Sequence, residues 1–411
     1  VSNISKIYHH DKSLANGAGD NSYRYSGGDT AHPDYFSCKY NGTDVSNIDG
    51  ELNKSLKGDC DSVSKVYSED FQNGVQYMDK SITKFFTDKT TIKWDNANNK
   101  CVTTSGEDVL NISTGEALPQ SLCNGYAYQR GGDEYWLGGI KELGSGVETL
   151  VEPAYVGVKN FVCFGSNESP CPTDNSYRII GVFGDQVKLI KSDYATTALL
   201  GADGDYSIMY IANGWSSSNY KGNNFANIAA YNWNKSNQNT WSLSNLNKTN
   251  LNKNFITNIG ADWAAKIADT TWKVGGNTWA NIGKQPAKTT YQNEILNPMS
   301  NTTDSKTEYK AKVGLMYASD YGFAADPSAW TTTLDDYNRH TENNWMHMGV
   351  MEWTISRNAY DDRYAFLVDQ VGMANYGNVN NAYGVRPVIY LLSSVNYASG
   401  SGTAADPILV N

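Results

Sequence analysis

One stretch constrains this chain more than any other: SYRIIGVF-GD-QVKLIKS, residues 176–192. Its two arms set Ile179, Ile180, Val182 and Phe183 against Val187, Leu189 and Ile190 across a two-residue connection. Gly184 at the first turn position suits a type II′ turn, which demands positive φ there. The spacing therefore predicts an antiparallel hairpin, and the strand-like NFVCFGS lies just upstream of it.

With 411 residues the chain exceeds what one compact domain usually needs, so two domains are expected. Residues 1–150 read as a small α+β module bearing disulfides, and 151–411 as the larger domain. The first 20 residues are polar and aperiodic, which suggests a loose lead-in. Tyr67, Phe71, Val75, Met78, Ile82 and Phe85 share one helical face. Ser68 is placed to cap that helix, with Glu69 and Asp70 at its positive end. TTIKW-DNANN-KCVTT predicts a hairpin around an Asn-rich turn.

Past the 176–192 hairpin, Leu243, Leu246, Leu251, Phe255 and Ile259 are helix-like, although the intervening asparagines are poor helix formers. TTWKV-GG-NTWAN reads as a further hairpin, and KVGLMYASDYGFA as a short strand followed by a turn. EWTIS and GVRPVIYLL read as buried strands, and TAADPILVN closes the chain.

Between those two buried strands lies NAYDDRYAFLVDQVGMANYGNVNNAY, residues 358–383. Ala365 and Leu367, with Asp369, alternate against Phe366 and Val368, so the middle is a strand, and Val371, Gly372 and Met373 turn the chain. Around it crowd Asn358, Tyr360, Asp361, Asp362, Tyr364, Asn375, Tyr376, Asn378, Asn380 and Asn381. Tyr offers a large contact area for few rotatable bonds, and Asn both donates and accepts. These residues are the candidate ligand-binding face. The plainer alternative is that Asn, Asp and Gly form turns and the Tyr rings pack between strands. Trp353 and Arg386 are assigned to the scaffold, Trp353 in the core and Arg386 paired with a carbonyl or carboxylate.

A net charge of −10 supplies no basic field for phosphates, so nucleic acid is not an expected partner. No apolar run is long enough to span a bilayer. The chain opens on Val1 with no charged-then-apolar leader, so a signal or anchor is expected to have been removed. The cysteines are Cys38, Cys60, Cys101, Cys123, Cys163 and Cys171, with no CxxC pair. An even number at moderate spacing suggests disulfides and an oxidising compartment. Sequential pairing is the simplest scheme, and Cys163–Cys171 is its most local member. The sequons at Asn41 and Asn111 fit an exported surface.

The order of segments in 151–411 resembles bacterial exported surface proteins with a C-type-lectin-like domain. That order is the YRIIGVFGDQVKLIKS hairpin, a Trp/Asn-rich helical stretch, WTISR, a Gly/Asn/Tyr-rich segment, YGVRPVIYL and GSGTAADPILV. The fold is also used by formylglycine-generating enzymes. In texture the chain is similar to exported proteins of gut Firmicutes, some of which carry a pilin-type anchor helix that is not found here.

The resemblance implies an α+β chain whose C-terminal domain mixes short strands with long loops and brings its ends together. The hypervariable proteins of diversity-generating retroelements share this fold, with their variable region just before the last core strands. Residues 358–383 hold the matching place. The implied function is that of an extracellular, surface-displayed adhesin or receptor-like protein. Its partner would be a protein or glycan on another cell or a phage, with membrane association only through an anchor absent from this chain. A pilus or surface-layer subunit and a carbohydrate-active enzyme stand as alternatives.

The chemistry expected of an enzyme is thin. Calcium-dependent lectins of similar fold use a Trp-Asn-Asp strand, whereas Trp94–Asn96 reads WDN and lies in a hairpin turn. Asp203 to Asp205 lack the ligand spacing of an EF-hand and read as a turn. No cysteine follows Cys171, and only helical spacing would relate His340 to His347. Asp335–Asp336 are adjacent, which says nothing of their separation across a sugar. G-x-S-x-G, the P-loop and H-E-x-x-H are missing. No catalytic residue, metal ligand or cofactor is therefore assigned.

Overall fold

A computed structural model describes residues 14–29, 36–40, 43–44, 50, 88–106, 108–109, 120, 123, 125–129, 140–143, 147–153, 158–208, 228–400, 402–404 and 406–411. The helix expected over 67–85, Cys60 of the expected pair Cys38–Cys60 and the sequons at Asn41 and Asn111 lie outside the described residues.

The 176–192 hairpin forms as its sequence dictates. Ser176–Phe183 pairs antiparallel with Gln186–Lys191, and Gly184 carries φ of 64°, as the type II′ turn requires. The register steps between Ile179 and Gly181, leaving Ile180 as a bulge. Residues 177–181 and 187–191 are all buried, so the hairpin is covered on both faces.

The hairpin sits within a nine-stranded sheet. On one side Gln186–Lys191 pairs with Val388–Tyr390, which pairs with Val313–Gly314. On the other, Ser176–Phe183 is flanked by Phe161–Cys163 along its first half and by Ser22–Tyr25 along its second. Leu14–Ala15 adds to Ser22–Tyr25. Phe161–Cys163 then pairs in parallel with Ile408–Val410, so the first and last strands of residues 158–411 lie side by side. The Cys163–Cys171 disulfide closes the loop beside this sheet, as expected.

Of the lead-in expected over residues 1–20, residues 1–13 lie outside the described residues, and Leu14–Ala15 is a strand of this sheet that pairs with Ser22–Tyr25. The chain divides into one unit of residues 30–157 and another of 1–29 with 158–411, instead of at 150. The cause is pairing at long range: Gly181–Phe183 offers a free edge that a local reading cannot match to residues 22–24.

A second sheet has four strands in the order Gly276–Asn277, Glu352–Asn358, Tyr364–Val368, Ala374–Asn378. Its first pair is parallel and the others antiparallel. The hairpin expected in TTWKVGGNTWAN does not form. Thr270–Lys273 pairs with Glu308–Ala311, and Gly276 turns instead to Arg357. Gly276 is suited to that approach, since a Cβ there would lie 2.8 Å from the Ala359 Cα. After Val313–Gly314 the expected turn is the helix Ala318–Ala324, whose first turn is fastened by Asp320 and Glu294 accepting backbone N–H groups.

The Asn-rich helix runs from Leu246 to Phe255 in π form and continues as Ile256–Asn258. Leu246, Leu251, Phe255 and Ile259 are buried, and the five-residue first step suits i→i+5 winding. Leu243 lies before the helix and is exposed. The asparagines that looked unfavourable hold neighbouring chain. Asn250 donates to Leu200 O at 2.8 Å, Asn254 to the same oxygen at 2.9 Å, and Asn258 to Leu199 O at 2.9 Å. Asn252 both donates to and accepts from the Val313 backbone at 3.0 Å.

Trp233, Trp241, Trp272 and Trp353 fill the core of this unit. Buried indoles need an acceptor, and Trp233 finds Thr354 O at 3.0 Å while Trp353 finds Tyr231 O at 2.9 Å.

The described residues of the 30–157 unit include two antiparallel sheets. One has the order Thr43–Asp44, Phe36–Tyr40, Val147–Pro153, Ile140–Leu143. The other pairs Asp88–Asp95 with Lys100–Thr103 and Gly125–Gln129. The first of those pairings is the expected hairpin, with Asp95 accepting from Ala97 N in its turn. Cys101–Cys123 ties the second sheet to the following loop.

Candidate functional site

Residues 358–383 lie on the second sheet. Tyr364–Val368 and Ala374–Asn378 form a hairpin against Glu352–Asn358, with Gln370–Gly372 at the turn. The turn is held by Asp369, whose Oδ1 accepts from Val371 N at 3.1 Å and Met373 N at 2.9 Å. Burial raises the Asp369 pKa above the usual carboxylate value, against these hydrogen bonds. Ala365, Phe366, Leu367 and Val368 are all buried, so this central strand is covered on both faces.

Antiparallel register places Tyr364, Phe366, Tyr376 and Asn378 on one face. Tyr376 lies edge-on to Tyr364, with centroids 5.4 Å apart at 89°, and 6.4 Å from Phe366. It also meets Trp279, 5.8 Å away at 65°. Trp279 opens the short helix Trp279–Ile282, whose Thr278 cap accepts from Asn281 N at 3.1 Å. Lys284 stands over the indole at 5.9 Å and Arg363 over Tyr364 at 5.7 Å. The result is a half-exposed aromatic row with a cation at each end. Tyr376 is 44% exposed.

The loop that begins this row is pinned from below. Asn239 is fully buried, and its Nδ2 donates to the carbonyls of Asn358 at 2.9 Å, Asp361 at 3.1 Å and Tyr364 at 2.7 Å. Its backbone N–H donates to Asp362 O at 2.6 Å. Asn301 donates to Asn239 Oδ1 at 2.7 Å and to Asn358 O at 2.6 Å. Asn358 Oδ1 accepts from Tyr360 N at 2.8 Å and Asp361 N at 3.1 Å. Arg357 anchors the base through Asp304 at 2.7 Å. From this fastened loop Tyr360 projects with 71% exposure.

The second cluster meets the first through Val379 N, which donates to Arg363 O at 2.8 Å. Asn381 N donates to Asn378 O at 2.8 Å, Asn378 Oδ1 accepts from Asn380 N at 3.3 Å, and Asn381 Nδ2 reaches Tyr383 Oη at 3.2 Å. Asn380 is exposed, and Asn358, Asp361, Asp362, Tyr364, Asn378 and Asn381 are half-buried. Asp361 is paired with Arg363 at 2.7 Å, and that hydrogen-bonded guanidinium lowers its pKa.

Asn375 is the exception. It shares the opposite face with Gly377, where a Cβ would lie 2.8 Å from Leu367 and 3.4 Å from Trp353. Asn358 and Asn378 spend their side-chain oxygens on their own loops. The structure therefore brings Tyr364, Tyr376 and Asn378 onto one face, with Tyr360 and Asn380 exposed in the adjoining loops, and turns Asn375 away.

Trp279, Asn239 and Asn301 were missed in the sequence. Trp279 sat in the arm of a hairpin that does not form, and no local pattern ties it to Tyr376. Asn239 and Asn301 resemble any other asparagine in a polar stretch. The scaffold residues sit as expected. Trp353 is fully buried, and Arg386 pairs with Glu352 at 2.6 and 2.8 Å and with Met346 O at 2.8 Å.

The other candidate chemistry is otherwise engaged. Asp205 accepts from Leu246 N at 2.7 Å and Lys235 N at 3.1 Å, and Asp203 from Asn254 at 2.7 Å, so both fasten a turn. No helix joins His340 to His347, since the 3-10 turn Thr341–Asn343 ends between them. Among the described residues no group of three or more His, Cys, Asp or Glu side chains could hold a metal ion. Among them, too, no helix is long and apolar enough to cross a membrane. No protein-family model, curated protein or solved structure significantly matches the chain.

Proposed function

We propose that this protein is an extracellular, surface-displayed ligand-binding protein, adhesin-like or receptor-like, on a C-type-lectin-like scaffold. Its contact face is the row Trp279–Tyr376–Tyr364 with Tyr360 and the Asn378–Asn381 turn. The observation that carries this reading is an exposed aromatic and amide surface whose backbone is fixed by buried asparagines. Ordering a flexible side chain on binding costs roughly 0.5–1.5 kcal/mol, and a surface fixed beforehand avoids much of that. The adjacency of Phe161–Cys163 and Ile408–Val410 fits a scaffold that brings its ends together. The disulfides Cys101–Cys123 and Cys163–Cys171 fit an oxidising, extracellular setting.

The partner is a protein or glycan borne by another cell or a phage. Flat half-exposed rings suit the apolar face of a sugar as well as a protein hot spot. The matching position of 358–383 supports a segment open to diversification. A glycan and protein array probed with wild type beside Tyr360→Ala/Tyr376→Ala tests the face. Binding by wild type that the double variant loses supports it, and equal binding by both rejects it.

A further inference from the structure

Three buried ion pairs of the larger unit use arginine: Arg178–Asp29, Arg357–Asp304 and Arg386–Glu352. Guanidinium stays charged and is a poor nucleophile. Lys188–Asp320 differs. Both side chains are only 1% exposed, and Nζ stands 2.5 Å from Oδ2. Lys188 lies on the central hairpin, opposite Tyr390, and Asp320 on the helix Ala318–Ala324. Around the amine stand the rings of Tyr317 at 4.7 Å, Phe183 at 5.1 Å, Tyr390 at 5.3 Å and Trp272 at 5.9 Å. Tyr317 N donates to the same Oδ2 at 2.9 Å.

We propose that Lys188 and Asp320 condense into an intramolecular amide, a covalent tie between the central hairpin and the helix Ala318–Ala324. The pocket meets the chemical demands of that step. An ammonium group cannot attack a carbonyl carbon, but burial pushes the Lys188 pKa down, against the attraction of Asp320. A proton passing from Nζ to the adjacent carboxylate leaves a neutral amine facing a carboxylic acid. The amine lone pair then forms the Nζ–Cγ bond. A second amine proton moves to the hydroxyl oxygen, the Cγ–O bond breaks, and one water departs. Amine and acid become amide and water, with no oxidant or activated donor needed.

Tyr317 N–H donates to Oδ2 and so holds the carboxyl group in place beside Nζ. Orientation supplies the rest, since well-placed intramolecular groups reach effective molarities of about 10⁵–10⁸ M. Glu294 is a positioning residue. Its oxygens accept from Ala318 N and Ser319 N at 3.0 Å each and from Ser356 Oγ at 2.7 Å, which fixes the turn that carries Asp320.

The test is the mass of the intact, denatured and reduced chain, followed by a tryptic map. The expected mass is that of the sequence less one water. Trypsin does not cut after an acylated lysine, so 179–191 should stay whole and be joined to 313–339. Asp320→Asn should lose ammonia in place of water and so reach the same product mass as wild type. Asp320→Ala should keep its full sequence mass. A wild-type chain of full sequence mass, cut normally after Lys188, would overturn the proposal, as would a joined peptide that persists in Asp320→Ala.

Discussion

Asn239→Ala is the substitution that most sharply probes how the candidate face is held. It removes one buried Nδ2 that serves the carbonyls of Asn358, Asp361 and Tyr364, and one Oδ1 that accepts from Asn301. A net hydrogen bond contributes about 1 kcal/mol, and a buried group left unpaired costs about 1–3 kcal/mol. Asn358 O keeps Asn301 as a donor and Asp361 O keeps Tyr364 N, so the loss falls mainly on Tyr364 O. The expected destabilisation is about 1–3 kcal/mol. Urea denaturation reads that loss, and hydrogen exchange localises it, with faster exchange expected at the amides of residues 360–364. Asn239→Asp should be worse than alanine, because a carboxylate would face three carbonyl oxygens. A loss below about 0.5 kcal/mol with unchanged exchange would refute the idea that buried asparagines fix this loop.

Two further outcomes follow from the same packing. Burial raises the Asp369 pKa above its ordinary 3.8, so the folded state binds that proton more tightly than the unfolded chain. Its stabilising share is full below that ordinary value and is lost as pH rises through the folded pKa. The stability of wild type relative to Asp369→Asn should therefore fall as pH rises from about 4 and then level off, as read by urea titration at each pH; a rise would contradict the sign. Gly181→Ala would place a Cβ 2.9 Å from Arg24 Cα and closer still to Tyr23 O. It should cost about 1–3 kcal/mol and expose residues 22–25 to exchange, whereas a neutral effect would deny that those residues belong to the sheet.

What the sequence disclosed was local. Gly184 between two apolar arms and the Asn-rich turn after Trp94 each specify a hairpin within a few residues, and both form. Cys163–Cys171 was legible for the same reason. Pairings across long separations were not, because many edges have similar composition. Nothing local in Thr270–Asn277 says that one half joins Glu308–Ala311 and the other Arg357. Nor does Leu14–Tyr25 announce that it completes a sheet begun at residue 161.

Asparagine was the most misleading signal. Its abundance suggests turns or a wet surface, yet Asn239, Asn247, Asn250 and Asn301 are buried and serve as cross-braces between backbone segments. The candidate site was legible in its Tyr and Asn content. Which members share a face was decided by register, and register separated Asn375 from Tyr376. The row also needed Trp279, which only tertiary packing brings to Tyr376.

The central claim is that the row Trp279–Tyr376–Tyr364 is a contact surface. The most direct measurement is the affinity of the strongest array ligand for wild type and for Trp279→Ala/Tyr376→Ala, with folding checked by near-ultraviolet circular dichroism. Removing two central aromatic contacts of hot-spot type should raise Kd by a factor on the order of 30 or more, since each is worth about 1–2 kcal/mol. An unchanged Kd in a folded double variant would contradict the claim.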